Sequence, residues 1–442
     1  MLPPGFVLGV GTAAYAVEGA ADEDGRGASA WDVFSQRCGS VDDGTTGAVA
    51  ADHYHRWAED LELVRRLGVG AYRFSLSWSR LMPSGRGTPL ATGLDFYDRI
   101  LDRLLELGIE PMVVLHHWDL PHDLQLDGGW LNPATAHALG ELAAVAGDRY
   151  GDRVAHWVPV DQPNVLTMRG YGVGSHAPGY RFGMGALPAL HHLNLGHGLA
   201  TQALRAAGAG SVGCANNHAP MWPASEDAAD VGAAKLFDSL WNGALIEPML
   251  TGRYPVDLEG LLDGVVGPGD LATIRQPLDF YGVSYDAPLR ISAARETAPE
   301  PFHVRAALGH ELTEDAVPIV PEGLREWLIT MRARFRAALP PIVVTAVTCA
   351  QGAVPDVDGV VDDQPRIDHL RVHLEAVAEA TQRGVDVRGF YAWSLLDGFS
   401  WNRGMARRTG LVHVDHDTLE RTPKRSFDWY ADLAAAQPAG LG

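Results

Sequence analysis

Several apolar runs of the chain end in side chains that can hold or transform a small polar molecule. His117, Trp118 and Asp119 close one run, Asp161 and Gln162 a second, Ser284, Tyr285 and Asp286 a third, and Trp393, Asp397 and Trp401 a fourth. Arg73 and Trp78 stand on another run, and Glu18 follows the first. Indole rings edged by hydrogen-bonding groups suit a polyhydroxylated or ring-shaped ligand. Asp161 and Asp286 read as general acid or base in a partly desolvated pocket, where burial raises a carboxyl pKa and a nearby arginine lowers it. For Asp286 the competing reading is an ion pair with Arg73 that only preserves the fold; for Asp161 it is a solvated or backbone-capping carboxylate. His117 reads as a hydrogen-bond donor, ligand anchor or proton shuttle. Any single ring here fits a core as well as a site, and it is their accumulation at the ends of several runs that favours a site.

Other chemistries find less support. The pairs His53 and His55, His116 and His117, and His191 and His192 have no third ligand at metal spacing, so neither a metal nor any other cofactor is expected. Lys235 and Lys424 are the only lysines, too few to favour Schiff-base chemistry. Cys38, Cys214 and Cys349 are odd in number and far apart, which excludes a disulfide framework and leaves Cys349 a weak candidate nucleophile. With 35 Lys and Arg against 55 Asp and Glu, the net charge of −20 argues against nucleic acid or an anionic membrane as partner. The expected partner is a small molecule. No basic segment precedes the first apolar stretch and no window of about 18 residues is uninterruptedly apolar, so a cytoplasmic protein without a membrane span is expected. Nothing in the sequence fixes the oligomeric state.

The elements that must position these residues follow from periodicity. Short β-branched runs over 6–14, 70–78, 110–118, 156–163, 211–217, 279–285, 341–347 and 388–396 read as strands. Helical spacing separates many of them, with Trp57, Leu61, Val64 and Leu67 on one face, Tyr97, Leu101, Leu104 and Leu105 on another, and Ile367, Leu370, Leu374 and Val377 on a third. Eight strands alternating with helices, and no linker, predict one α/β domain over residues 1–442, a (β/α)8 barrel with extended loops. A doubly wound sheet is the weaker alternative, because Gly9-Val10-Gly11 lacks the rest of a dinucleotide fingerprint. The polar stretch from Ala287 to about Pro321 reads as an irregular surface loop.

The same residues carry a resemblance. GTAAYAVEGA (11–20), DHYHRWAEDLELVRRLGVGAYRFSLSWSR (52–80), LHHWDLPHDLQLDGGWLN (115–132), GYGVGSHAPG (170–179), DFYGVSYDAP (279–288) and FYAWSLLDGFSWNRG (390–404) resemble family 1 glycoside hydrolases, the β-glucosidase family, over essentially the whole chain. The resemblance implies a (β/α)8 barrel, a pocket for one terminal sugar, and a retaining reaction between two carboxyl groups about 5 Å apart. It also implies where these glutamates belong. The acid/base of the family's Asn-Glu-Pro aligns with Gln162 in Asp161-Gln162-Pro163, and the nucleophile of Thr-Glu-Asn-Gly aligns with Ala346 after Thr345. Among the family's sugar-holding positions, glutamine becomes Ala16, glutamate becomes Ser400, and Asn-Tyr-Tyr becomes Ser284-Tyr285-Asp286, while His117, Trp118, Trp393 and Trp401 match.

A glutamine cannot protonate a leaving oxygen, and an alanine has no atom to attack an anomeric carbon. Weighing those positions most heavily leads to a pseudoglycosidase scaffold. The expectation is then a repurposed, non-hydrolytic enzyme of specialised metabolism, performing cyclisation, rearrangement, elimination or transfer on a sugar-like or polycyclic molecule. Asp161 and Asp286 would be its acid/base pair, with His117, Gln162 and Arg73 beside them. Trp118, Tyr285, Ser284, Ala346, Trp393, Ser400, Trp401 and Ala16 would bind substrate. The alternatives are a non-catalytic ligand-binding pseudoglycosidase and an atypical glycosidase with relocated carboxylates.

Overall fold

The computed structural model describes residues 2–295, 298 and 300–437. Its centre is a sheet of eight parallel strands: β1 (Val7–Gly11), β2 (Ala71–Ser75), β3 (Glu110–His116), β4 (His156–Val160), β5 (Gly213–Asn217), β6 (Phe280–Tyr285), β7 (Ile342–Thr348) and β8 (Val387–Trp393). Each is the core of one of the eight predicted runs. The order β4-β3-β2-β1-β8-β7-β6-β5 follows the chain around a ring. Parallel bridges Trp157 to Val212 and Asp161 to Ala215 join β4 to β5 and close it. The molecule is a (β/α)8 barrel, whose active face in such folds lies at the carboxyl ends of the strands.

Helices wrap the outside for the reason that their spacing suggested. In α1 (His53–Leu67), Leu61, Val64 and Leu67 are fully buried; in α2 (Ala91–Glu106), so are Phe96, Tyr97, Leu101 and Leu104, with Ile100 almost so. Leu105, expected on that face, is exposed, because it sits one step round the helix from Leu104. The glycines of β1 answer to packing, not to phosphate: a Cβ on Gly9 would stand 2.4 Å from the Tyr391 ring on β8. The stretch after Ala287, expected to be irregular, carries strands Leu289–Ala293 and Phe302–Ala306, paired antiparallel and joined by Met221–Pro223 into a three-stranded sheet. Its polar sequence reflects strands lying on the surface of the barrel, with one face wet. No described helix is long and apolar enough to cross a membrane.

Candidate active site

At the carboxyl end of the barrel opens a cavity of about 570 Å³, within the usual range of small-molecule pockets. Ten of the thirteen predicted site residues line it: His117, Trp118, Gln162, Ser284, Tyr285, Asp286, Ala346, Trp393, Ser400 and Trp401. Its aromatic wall is continuous. The Trp118 and Trp401 rings lie 4.6 Å apart, and His117 stands 5.1 Å from Trp118, 5.4 Å from Trp401 and 5.6 Å from Trp393. Trp118 Nε1 donates to the Asp161 carbonyl at 2.9 Å, which fixes the indole without using up its face.

Backbone conformation sets these side chains apart in a way that composition cannot reveal. Trp118, Gln162 and Trp401 all have positive φ, at 68°, 46° and 53°. A bulky residue in that region costs on the order of 1–3 kcal/mol, and such strain gathers at functional sites. A second device lies on β7, where the register against β6 and β8 shifts between Val344 and Val347. An irregularity of this kind re-aims the side chains that follow it, here placing Ala346 in the wall of the cavity.

Arg73 and Asp161 lie outside the lining, as does Ala16, whose carbonyl accepts the Phe399 amide at 2.8 Å. The expected pairing of Arg73 with Asp286 is not what forms. Arg73 Nη2 donates to Asp161 Oδ1, and both side chains are wholly buried, so the strand-4 carboxylate is what neutralises the barrel's internal cation. Asp161 is therefore not solvated. Burial pushes its carboxyl up to about 6 against the pull of Arg73. His117 Nε2 stands 3.0 Å from Asp161 Oδ2, and burial, reinforced by Arg73, holds the imidazole well below its ordinary pKa and therefore neutral at pH 7. Asp286 is exposed and accepts from Asn217 Nδ2 at 3.0 Å. Ser284 Oγ lies 3.1 Å from Thr345 Oγ1, and the Tyr285 hydroxyl is committed to the Val320 carbonyl at 2.7 Å.

The other strand-end groups are supports. Glu18 accepts from Arg80 at 3.0 Å and from Tyr97 at 2.6 Å, while Asp397 holds Lys424 at 2.8 Å. His53 is bound to Asp60 at 2.8 Å, His191 to Tyr254 at 2.9 Å and His192 to the Trp130 carbonyl at 2.9 Å. Among the described residues no cluster of three His, Cys, Asp or Glu can hold a metal ion. Burial pushes the Cys349 thiol up to about 11, which removes it as a nucleophile at neutral pH. Sequence reasoning missed Arg169, His176, Asn217 and Arg407, all of which line the cavity. Their signal was present in part: His176 falls inside the GYGVGSHAPG stretch and Asn217 is the last residue of β5.

Comparison with known proteins places the whole chain. The model of glycosyl hydrolase family 1 matches residues 1–438. A bifunctional β-D-glucosidase/β-D-fucosidase of Bifidobacterium breve is 40% identical, with 99% of each chain covered. A psychrophilic β-glucosidase of Micrococcus antarcticus has the same structure at a TM-score of 0.95, with 39% identity and coverage of 99% of this chain and 98% of that one. The family 1 β-glucosidase of Thermotoga maritima in complex with isofagomine lactam gives 0.93 and 37%, over 98% of both. These likenesses overturn the expectation of a non-hydrolytic, repurposed enzyme or a pseudoglycosidase of specialised metabolism. They support a glycosidase. That expectation weighed two positions above a scaffold that matches β-glucosidases over nearly the whole chain. On a family match along the entire chain and relatives near 40% identity, this protein belongs to glycosyl hydrolase family 1.

Proposed function

We propose that the protein is a β-glycosidase that holds the terminal sugar of a β-glycoside against Trp393, Trp401, Trp118 and His117 and hydrolyses the bond to the group beyond it. The observation that carries this reading is the end-to-end likeness to β-glucosidases, together with a barrel-end cavity in which ten of the expected site residues meet. An indole face packs on the apolar face of a sugar ring, and the polar groups around it fix the hydroxyls. Neutral His117 is a donor suited to one of those hydroxyls.

Gln162 and Ala346 stand, on this reading, where the two glutamates of a retaining site belong. An amide at 162 hydrogen-bonds a leaving oxygen but gives it no proton, and position 346 forms no glycosyl ester, so water attacks the anomeric carbon directly as the aglycone departs as its anion, and the proton of the water passes to solvent. Hydrolysis should then depend steeply on how readily the leaving group departs unprotonated. A series of aryl β-glucosides with falling phenol pKa tests this. Release of sugar should rise at least about 100-fold from phenol to dinitrophenol, because general acid catalysis, worth about 10²–10⁴, is missing for the poorer leaving groups. A flat series with brisk turnover would show that a proton donor is at work and that Gln162 does not stand in its place. Absence of release from every member would refute the β-glycosidase reading itself.

A further inference from the structure

In a chain that uses arginine for almost every cation, the two lysines have opposite surroundings. Lys235 is exposed, whereas the Lys424 side chain is wholly buried at the start of the helix Arg425–Ala435, outside the cavity wall. Lys424 Nζ donates to Asp397 Oδ1 at 2.8 Å, its only side-chain hydrogen bond among the described residues. The same carboxylate accepts from the Gly410 amide at 2.8 Å and from Arg408 Nη1 at 3.2 Å, and the Asp397 amide donates to the Val412 carbonyl at 2.9 Å. Asp397 thus ties the loop after β8 to the strand Val412–Val414 and to the root of the helix that follows Lys424.

That loop carries part of the cavity wall. Asp397 lies midway between Trp393 and Trp401, and beyond it Trp401 has a φ of 53°. A strained residue of this kind persists only where its surroundings over-determine it. The Trp401 ring is set 4.6 Å from Trp118 and 4.9 Å from Trp31, so a loosened loop would carry the indole out of the wall. Stability does not explain the buried pair. Burial pulls the Lys424 ammonium down to about 8 against the attraction of Asp397, so its lost hydration costs the fold more than the carboxylate offsets. A compact ammonium also meets a single oxygen, where the planar fork of an arginine needs room for several acceptors. What such a pair supplies is one fixed arrangement of the segments that it joins.

We propose that Lys424 is a positioning residue for Trp401: through Asp397 it locks the loop 394–404 and so keeps the indole in the wall against which the sugar ring packs. The consequence for sugar affinity rests on the β-glycoside reading of the cavity. The locking of the loop does not.

The test compares the full-length wild type with Lys424→Met and with the double variant Lys424→Met, Asp397→Asn, which removes both charges and keeps a side-chain oxygen for the Gly410 amide. Hydrogen–deuterium exchange across 394–404 reads the loop, calorimetric titration with phenyl β-glucoside reads the site, and thermal melting reads the fold. Lys424→Met should speed exchange of the loop at least about tenfold, weaken binding of phenyl β-glucoside at least about fivefold with the loss on KM and kcat little changed, and lower the melting temperature. The double variant should melt with the wild type, because it leaves no unpaired carboxylate, yet keep the fast loop and the weak binding. Recovery of melting, loop protection and binding together in the double variant would overturn the proposal, since the pair would then serve the fold alone. Wild-type loop protection in Lys424→Met overturns it as well, and so does failure of both variants to fold. A wild type that binds no phenyl β-glucoside would instead refute the β-glycoside reading and leave loop exchange to decide this one.

Discussion

Asp161→Ala should destabilise the barrel through Arg73. The guanidinium is fully buried, and its Nε and Nη1 already have no acceptor among the described residues, so the bond from Nη2 to Asp161 is its only charged contact. Removing the carboxylate leaves a bare cation inside a β-barrel, a loss of about 3–5 kcal/mol. With about 2.1 cal/mol/K of unfolding entropy per residue and 442 residues, the whole chain has an unfolding entropy of about 0.9 kcal/mol/K, so the melting temperature falls by only about 3–5 °C. Urea denaturation followed by tryptophan fluorescence is the sharper assay. The double variant Arg73→Met with Asp161→Ala should recover at least half of the loss, since it removes the stranded charge along with its partner. A cost below about 1 kcal/mol for Asp161→Ala, or strict additivity in the double variant, would refute the claim that this pair neutralises the interior.

Protonation gives a related test. The folded pKa of Asp161, about 6, lies above the ordinary carboxyl value, so ionising it costs the folded state an increment of stability that is fully present below about pH 4 and lost as pH rises through 6, while the ion pair with Arg73 remains. The stability advantage of wild type over the non-titrating Asp161→Asn should therefore shrink by up to about 3 kcal/mol from pH 4 to pH 7, and parallel stability curves would refute it. If the sugar packs on Trp401 as proposed, Trp401→Ala should raise KM for a phenyl glycoside by at least tenfold with a smaller effect on kcat, measured by steady-state kinetics. Gln162→Glu with Ala346→Glu should raise kcat/KM on phenyl β-glucoside by at least about 100-fold, and no change would mean that these are not the positions of the reacting carboxyls.

How much of this was legible beforehand differs from link to link. All eight strands could be read, because parallel strands buried on both faces are continuous apolar runs, and the helices announced themselves through Leu61, Val64, Tyr97 and Leu101. Most of the pocket was legible for the same reason, since barrel sites occupy the ends of strands. What could not be read is which carboxylate meets Arg73. Position 161 directly follows β4 and position 286 directly follows β6, and only the folded geometry places Asp161 on the cation and leaves Asp286 exposed. Arg169 escaped because a π-turn obeys neither strand nor helix periodicity. The functional expectation failed for another reason: it rested on residues 162 and 346, two positions, against a likeness to β-glucosidases that runs along nearly the whole chain.

The most direct measurement of the proposed hydrolysis is the release of glucose and nitrophenol from 4-nitrophenyl β-glucoside by micromolar purified protein over many hours. Glucose and nitrophenol should appear in equal amounts and in proportion to protein, reduced at least tenfold in Trp401→Ala under subsaturating substrate. Neither product above the protein-free rate, or a rate unaffected by loss of Trp401, would contradict it.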